Sequence, residues 1–247
     1  MKPDLCFEIS WEVCNKVGGI STVLISKTHE MTNIYHDNYT CVGPYFHENA
    51  LGEFDEEPPW TGWQDISASL KKQGILLHFG KWLVKGEPRT ILIDFQNLLG
   101  KANDIKTQLW NAYHIDSLNA PNDFTEPVIW SWAVGMMLGE LGALTSGKKV
   151  VAHVHEWLSG GAILYSKLKQ INLGTVFTTH ATVLGRALAS AQKDLYNILD
   201  TIDPEKEAYA HGVAAKHQLE RATAQAATVF TTVSDITGLE AEKLLKR

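Results

Sequence analysis

The chain is poor in the residues that would define several protein classes. It has three cysteines in 247 residues, Cys6, Cys14 and Cys41. They are odd in number, sit near the N-terminus, and lack the C-x-x-C spacing of a zinc or redox site. They read as reduced core residues. Positive charge is scarce too: 22 basic against 28 acidic side chains give a net charge of -6. Nucleic-acid binders carry a basic face or stripe, so no nucleic-acid partner is expected. The opening "MKPDLCFEIS" has no basic segment leading into an apolar one. No secretory signal is read there, and the expected location is cytoplasmic. The longest apolar stretch, "PVIWSWAVGMMLGELGAL", is interrupted by Glu140 and several glycines. It falls short of the roughly 20 apolar residues of a membrane span and is expected to be a buried helix, with no membrane partner.

Hydrophobic residues make up 45% of the chain, enough for a sizeable core at a length between one large domain and two small ones. "LCFEIS" reads as a first strand and "GGISTVLISKTHEM" as a helix opened by a glycine turn. Further strands are expected at "YTCVG", "GILLHFG" and "RTILIDF", with the acidic "GEFDEEPPW" as a surface turn between them. From Val128 onward, helices alternate with the strands "KVVAHVH", "GTVFTTH" and "TVFTTVS". That alternation predicts right-handed crossovers and a parallel sheet flanked by helices, an α/β fold with strands buried on both faces.

In such sheets ligands gather beyond the carboxyl ends of the strands. His153, His155 and Glu156 end one predicted strand, His180 a second, and Ser234 and Asp235 a third. The loop "NKVGG" follows the first strand. Gly18 and Gly19 there would let backbone N–H groups approach an anion, with Lys16 adding a charge. A tight strand-to-helix turn explains the same glycines equally well. His153 and His155 share a strand face and could bind a metal with a third ligand, or form a hydrogen-bonding wall for hydroxyl-rich ligands. His153 could equally be a satisfied core residue. Arg186, six residues after His180, has the planar donor fork that suits a phosphate, or else caps a carbonyl or pairs with an acid. Glu220, Arg221, Glu240 and Glu242 read as the solvated faces of amphipathic helices.

"FEISWEVCNKVGGISTVL", "NYTCVGPY", "VVAHVHEWLSGGAILY", "TVFTTHATVLGRAL" and "LERATAQAATVFTTVSDITGLEAEKLLKR" together closely resemble the N-terminal domain of animal and fungal glycogen synthases, glycosyltransferase family 3. The resemblance covers nearly the whole chain, residues 1–247. It implies the Rossmann-like, acceptor-side half of a GT-B enzyme, with the nucleotide-binding C-terminal domain outside this chain. The implied activity is retaining transfer of glucose from UDP-glucose to the non-reducing end of an α-1,4-glucan, with this domain inactive alone. The K-x-G-G form of the glycine loop is also that of bacterial and plant starch synthases, which keeps ADP-glucose as an alternative donor.

Carried over by motif, Lys16, Gly18 and Gly19 resemble the donor-phosphate loop. His180, Glu156 and Arg186 resemble catalytic-site residues, and His153 and His155 are candidates for the acceptor side. No metal or cofactor is implied, the N-terminal phosphorylation tail of the animal enzymes is expected to be absent, and a homo-oligomer is open for the full-length enzyme. Two other readings compete: a non-catalytic glucan-binding module, and a metal-dependent hydrolase built on His153, His155 and His180.

Overall fold

A computed structural model describes residues 2–247. Its first half runs β1 (Leu5–Ile9), α1 (Ile20–Tyr35), β2 (Tyr39–Pro44), α2 (His47–Ala50), β3 (Phe54–Glu57), α3 (Gln64–Lys72), β4 (Leu76–Trp82), β5 (Arg89–Asp94) and α4 (Ala102–Tyr113). The second runs α5 (Asn122–Glu140), β6 (Val150–His155), α6 (Gly161–Leu168), β7 (Gly174–Thr179), α7 (Val183–Ser190), α8 (Leu195–Ile198), α9 (Pro204–Ala210), α10 (Ala214–Ala226), β8 (Val229–Thr232) and α11 (Asp235–Leu245). The eight strands form one sheet in the order β3-β4-β5-β2-β1-β6-β7-β8. Neighbours from β5 to β8 are parallel, and β4 pairs antiparallel with both β3 and β5.

Two departures from the sequence expectation follow. The sheet is mostly rather than wholly parallel. The acidic "GEFDEEPPW" segment, expected to be a turn, contains the edge strand β3, whose Asp55 and Glu56 stay exposed. Charge on an edge strand suits an unpaired ladder, because it discourages pairing with another chain. Among the described residues no helix is long and apolar enough to cross a membrane.

Alternation along the strands sorts side chains onto two faces. Phe7 and Ile9 of β1, Ala152 and Val154 of β6 and Phe177 of β7 join the larger core beneath α5, α6 and α10. The helix α5, with Trp130, Trp132 and Val134 buried, is the expected buried helix. Cys6 of β1 and Tyr39 and Cys41 of β2 face the other way, against Ile20 and Leu24 of α1. All three cysteines are free and buried. Glu8, His153 and His155 also point to this second face, so the strands are not apolar on both sides as expected. A third cluster, including Leu184, Leu188, Leu199 and Leu244, joins α7 to α11.

His217, on α10, is fully buried, and neither ring nitrogen has a hydrogen-bond partner among the described residues. Burial lowers its pKa to about 4, against about 6.5 for an exposed imidazole. The unfolded chain therefore takes up the proton first. Stability is complete above about pH 6.5 and is lost as the pH falls, by about 2 kcal/mol at pH 5. His217→Phe is expected to gain about 2 kcal/mol more over the parent at pH 5 than at pH 8 in urea unfolding. An equal gain at both pH values would contradict that assignment.

Candidate functional site

The strand order reverses where β1 meets β2 on one side and β6 on the other, the switch point where open α/β sheets place ligands. Glu8 of β1 lies there, in register with His153 of β6. Its carboxylate is fully buried and is met from three elements. Lys27 of α1 approaches Oε1 to 2.9 Å, and Tyr39 of β2 donates to Oε2 at 3.2 Å. His155 Nε2 forms a short hydrogen bond to Oε1, and His153 Nδ1 lies 3.3 Å from the same oxygen. Burial by itself would raise the Glu8 pKa. The His155 hydrogen bond, together with the electrostatic pull of the neighbouring imidazoles and Lys27, outweighs it and holds the carboxyl well below the usual carboxylate range.

From His155 the network continues outward, with Nδ1 3.1 Å from His180 Nε2. His153 Nε2 meets Thr178 Oγ1 at 2.7 Å. Burial lowers the pKa of His153 to about 3 and that of His180 to about 4, with nearby positive charge adding to the effect on His180. Both rings are therefore neutral at pH 7. His155 is buried and His153 half-buried, so the more enclosed of the two histidines is His155, whereas the sequence left His153 open as either a core or a site residue.

Glu156 follows β6 in a backbone conformation rare for a non-glycine residue, φ 61° and ψ 165°. Such strain persists only where surroundings impose it, and it gathers at functional sites. Here Glu156 N donates to Thr178 O at 3.0 Å, and the side chain turns under the loop after β7. Glu156 Oε1 accepts from the backbone N–H groups of His180 at 2.9 Å and Ala181 at 3.3 Å, and from Arg186 Nη2 at 3.3 Å. Glu220 of α10 holds the next part of that loop through Val183 N at 2.9 Å. Glu240 of α11 accepts from Thr182 Oγ1 at 2.9 Å and Tyr196 at 3.1 Å.

Burial raises both the Glu156 and Glu220 carboxyls. Arg186 and the loop amides pull Glu156 back, whereas the Glu156 charge pushes Glu220 further, well above the carboxylate range. Glu220 and Glu240, expected on solvated helix faces, are thus buried wall residues of the site. Gly185 is required beside them, since a Cβ there would lie 2.4 Å from Thr182 Oγ1 and 2.6 Å from Glu240 Oε2.

His153, His155, His180, Glu156 and Arg186 are brought into one network. Lys16, Gly18 and Gly19 stand apart, exposed on the loop before α1, and share no hydrogen bond with that network among the described residues. The amides of Gly18, at 2.9 Å, and Ser21, at 3.0 Å, donate to Glu12 Oε2, so a buried carboxylate already occupies part of this helix N-terminus. Gly19 faces open space. Ser234 caps α11 through Thr237 N at 3.2 Å, a structural role. Glu8 and Glu12 were both passed over in the sequence reading. Their signal was a lone acid inside the apolar runs "LCFEI" and "SWEVC".

A pocket of about 250 Å³ adjoins the network, lined by Glu156, Trp157, Arg186, Val213 and Lys216. Larger cavities of about 510 and 580 Å³ lie near Thr175 and near Asn38, at the amino ends of strands. They lack any cluster of shifted titratable groups, so the smaller pocket is the candidate site.

Glu8, His153 and His155 offer three donor atoms within 4.8 Å of one another, a grouping that could fit zinc. The donor set argues otherwise. Lys27 is 2.9 Å from the shared carboxylate oxygen, placing a cation where a metal's charge would fall. The histidine trio of the hydrolase reading does not converge on a point either, because the two nitrogens of His155 serve Glu8 and His180 separately.

The mostly parallel sheet flanked by helices, with carboxylates, imidazoles and an arginine at the carboxyl ends beside its switch point, is a Rossmann-like α/β domain. The chain belongs to the glycogen synthase family, whose model matches residues 8–247. It is similar to "Glycogen [starch] synthase" of Neurospora crassa, 41% identical over 100% of this chain and 35% of the relative. It is also similar to the liver enzyme of Mus musculus, 37% identical over 98% of this chain and 35% of the relative. To isoform 1 of Saccharomyces cerevisiae it is 38% identical over 98% and 36%. The chain therefore spans about a third of the length of the curated relatives it matches. Among solved structures it resembles the catalytic domain of starch synthase IV from Arabidopsis thaliana bound to ADP and acarbose, with TM-score 0.42, 17% identity and coverage of 72% of this chain and 34% of that one. A trehalose 6-phosphate synthase from Burkholderia multivorans aligns with TM-score 0.43, 11% identity and coverage of 96% and 41%.

Elemental analysis of the chain after incubation with zinc and dialysis is expected to find less than stoichiometric metal. One tightly held equivalent, lost in His155→Ala, would contradict the hydrogen-bonded assignment of Glu8, His153 and His155.

Proposed function

We propose that this chain is the acceptor-side, N-terminal domain of a retaining GT-B glucosyltransferase that passes glucose from UDP-glucose to the non-reducing end of an α-1,4-glucan. Membership of the glycogen synthase family supports the reaction class. The observation that carries the assignment of roles is the Glu156 network at the strand ends. Its buried carboxylate, raised by desolvation, is a stronger base than an exposed one and can orient and help deprotonate the glucan 4-hydroxyl. In the transfer, the bond from glucose C1 to the UDP oxygen breaks and a bond from C1 to the glucan O4 forms. The departing phosphate develops negative charge, and Arg186, 60% exposed at its side chain, is a cation of this domain that can stabilise it. His180, neutral and half-buried, offers a hydrogen-bonding edge to the transferred sugar. Lys16 and the open side of Gly19 are the parts of the glycine loop left to reach donor phosphates, since Glu12 engages Gly18.

This reading assigns His153 to the acceptor side and makes His155 internal. The remaining cationic and nucleotide contacts belong to a second domain, so the chain alone binds ligand without turnover.

The test is glucose transfer to glycogen by a polypeptide that joins this chain to such a second domain, with UDP-glucose and ADP-glucose compared. Transfer is expected with UDP-glucose, with Glu156→Gln lowering kcat by roughly 100-fold or more, the scale of a positioned base. Maltooligosaccharide binding with no transfer from either donor would overturn this reading in favour of a glucan-binding module.

A further inference from the structure

Glu8 is fully buried on β1, yet it is connected through His155 to the half-buried His180. Its carboxylate accepts from His155 Nε2, and His155 Nδ1 lies 3.1 Å from His180 Nε2. Lys27 lies 2.9 Å from Glu8 Oε1 and already balances its charge. A further positive charge on His155 would be an uncompensated buried cation, which is expensive. A neutral His155 that donates Nε2–H to Glu8 has only a lone pair at Nδ1. The neutral His180 must then supply the proton of the contact between the rings, from Nε2, which leaves its own Nδ1 as an acceptor.

We propose that Glu8 is a positioning residue: through His155 it fixes the tautomer and orientation of His180, so that the half-buried His180 keeps Nδ1 as a hydrogen-bond acceptor for a ligand at the strand ends. A carboxylate that sets the tautomer of a functional imidazole through its far nitrogen is a recurring device, used here over two rings. His180 therefore accepts from a ligand hydroxyl and does not donate to a ligand oxygen. The consequence for transfer rests on the proposed glucosyltransferase reading; the tautomer assignment does not.

The first experiment is nitrogen-15 NMR of the imidazoles in the chain itself at pH 7. Protonated Nε2 and bare Nδ1 are expected on both His155 and His180. Glu8→Gln keeps a carbonyl oxygen for His155 and Lys27, so it is expected to retain the pattern. The double variant Glu8→Met, Lys27→Met removes acceptor and charge together, so that no half-buried lysine is left without its carboxylate. It is expected to scramble the tautomers of both rings with an unchanged far-ultraviolet circular dichroism spectrum.

A wild-type His180 protonated at Nδ1, or a double variant with both tautomers intact, would overturn the proposal. If the double variant does not fold, Glu8→Gln and the wild-type spectrum still decide it, because an inverted His180 in either is contradictory. In the polypeptide carrying a second domain, the double variant is expected to lower kcat roughly 10- to 100-fold with little change in KM, while Glu8→Gln stays near wild type. An unchanged kcat in the double variant would overturn the positioning role. Absence of transfer in wild type, with the tautomers as expected, would overturn the glucosyltransferase reading and leave the positioning of His180 standing.

Discussion

A single buried carboxylate organises this domain. Removing Glu8 from water costs several kcal/mol unless its lone pairs are filled, and filling them takes Lys27 from α1, Tyr39 from β2 and His155 from β6. Each partner lies on a separate element, so satisfying one charge also fixes how α1 crosses the sheet and how β1 sits between its neighbours. The requirement is strict because an unpaired charge in the interior is far worse than an apolar residue in its place. The polar face of β6 follows from the same constraint. His153 and His155 face the part of the sheet where α1 brings Lys27 to Glu8, beside the apolar contacts that Ile20 and Leu24 make with Cys6, Tyr39 and Cys41.

Outward from Glu8, the same principle of carboxylates holding backbone and imidazole groups repeats at the strand ends. Glu156, in its strained conformation, and Glu220 and Glu240, in from the helices, pin the loop from Thr179 to Val183 by its amides and hydroxyls. A loop held this way costs little reorganisation when a ligand arrives, the condition under which fixed dipoles and charges are effective. Among the described groups that keep an accessible edge are the Arg186 guanidinium, paired to Glu156 yet 60% exposed at its side chain, the half-buried His180 and the exposed Lys16. The domain thus separates groups spent on shape from groups left for chemistry.

Most of the sheet could be read from the amino-acid sequence, because period-two runs such as "YTCVG" and "KVVAHVH" and the helices between them carry their own signal. The strand ends followed from that pattern, and with them His153, His155, Glu156 and His180. The carboxylate network did not. Glu8 within "LCFEI" looks like one polar position of an alternating strand, and its burial depends on Lys27, nineteen residues on in sequence. Glu220 and Glu240 sit at helical spacing that suits a solvated face equally well, and only the packing of α10 and α11 around the loop after β7 buries them. The strand β3 was hidden by its acids, which suit an exposed edge as well as a turn. In each case the missing information is tertiary: which element covers a given position.

The measurement that bears most directly on the account is amide chemical-shift mapping of the isolated chain on addition of maltooligosaccharide and, separately, of UDP-glucose. The pinned loop is the account's ligand-facing element, so the amides of His180, Ala181 and Val183 are expected to move with at least one of the two ligands, together with the Arg186 side chain. Saturable shifts confined to other regions, such as the cavity beside Thr175, with those amides unmoved, would contradict the placement of the site at the carboxyl ends of β6 and β7.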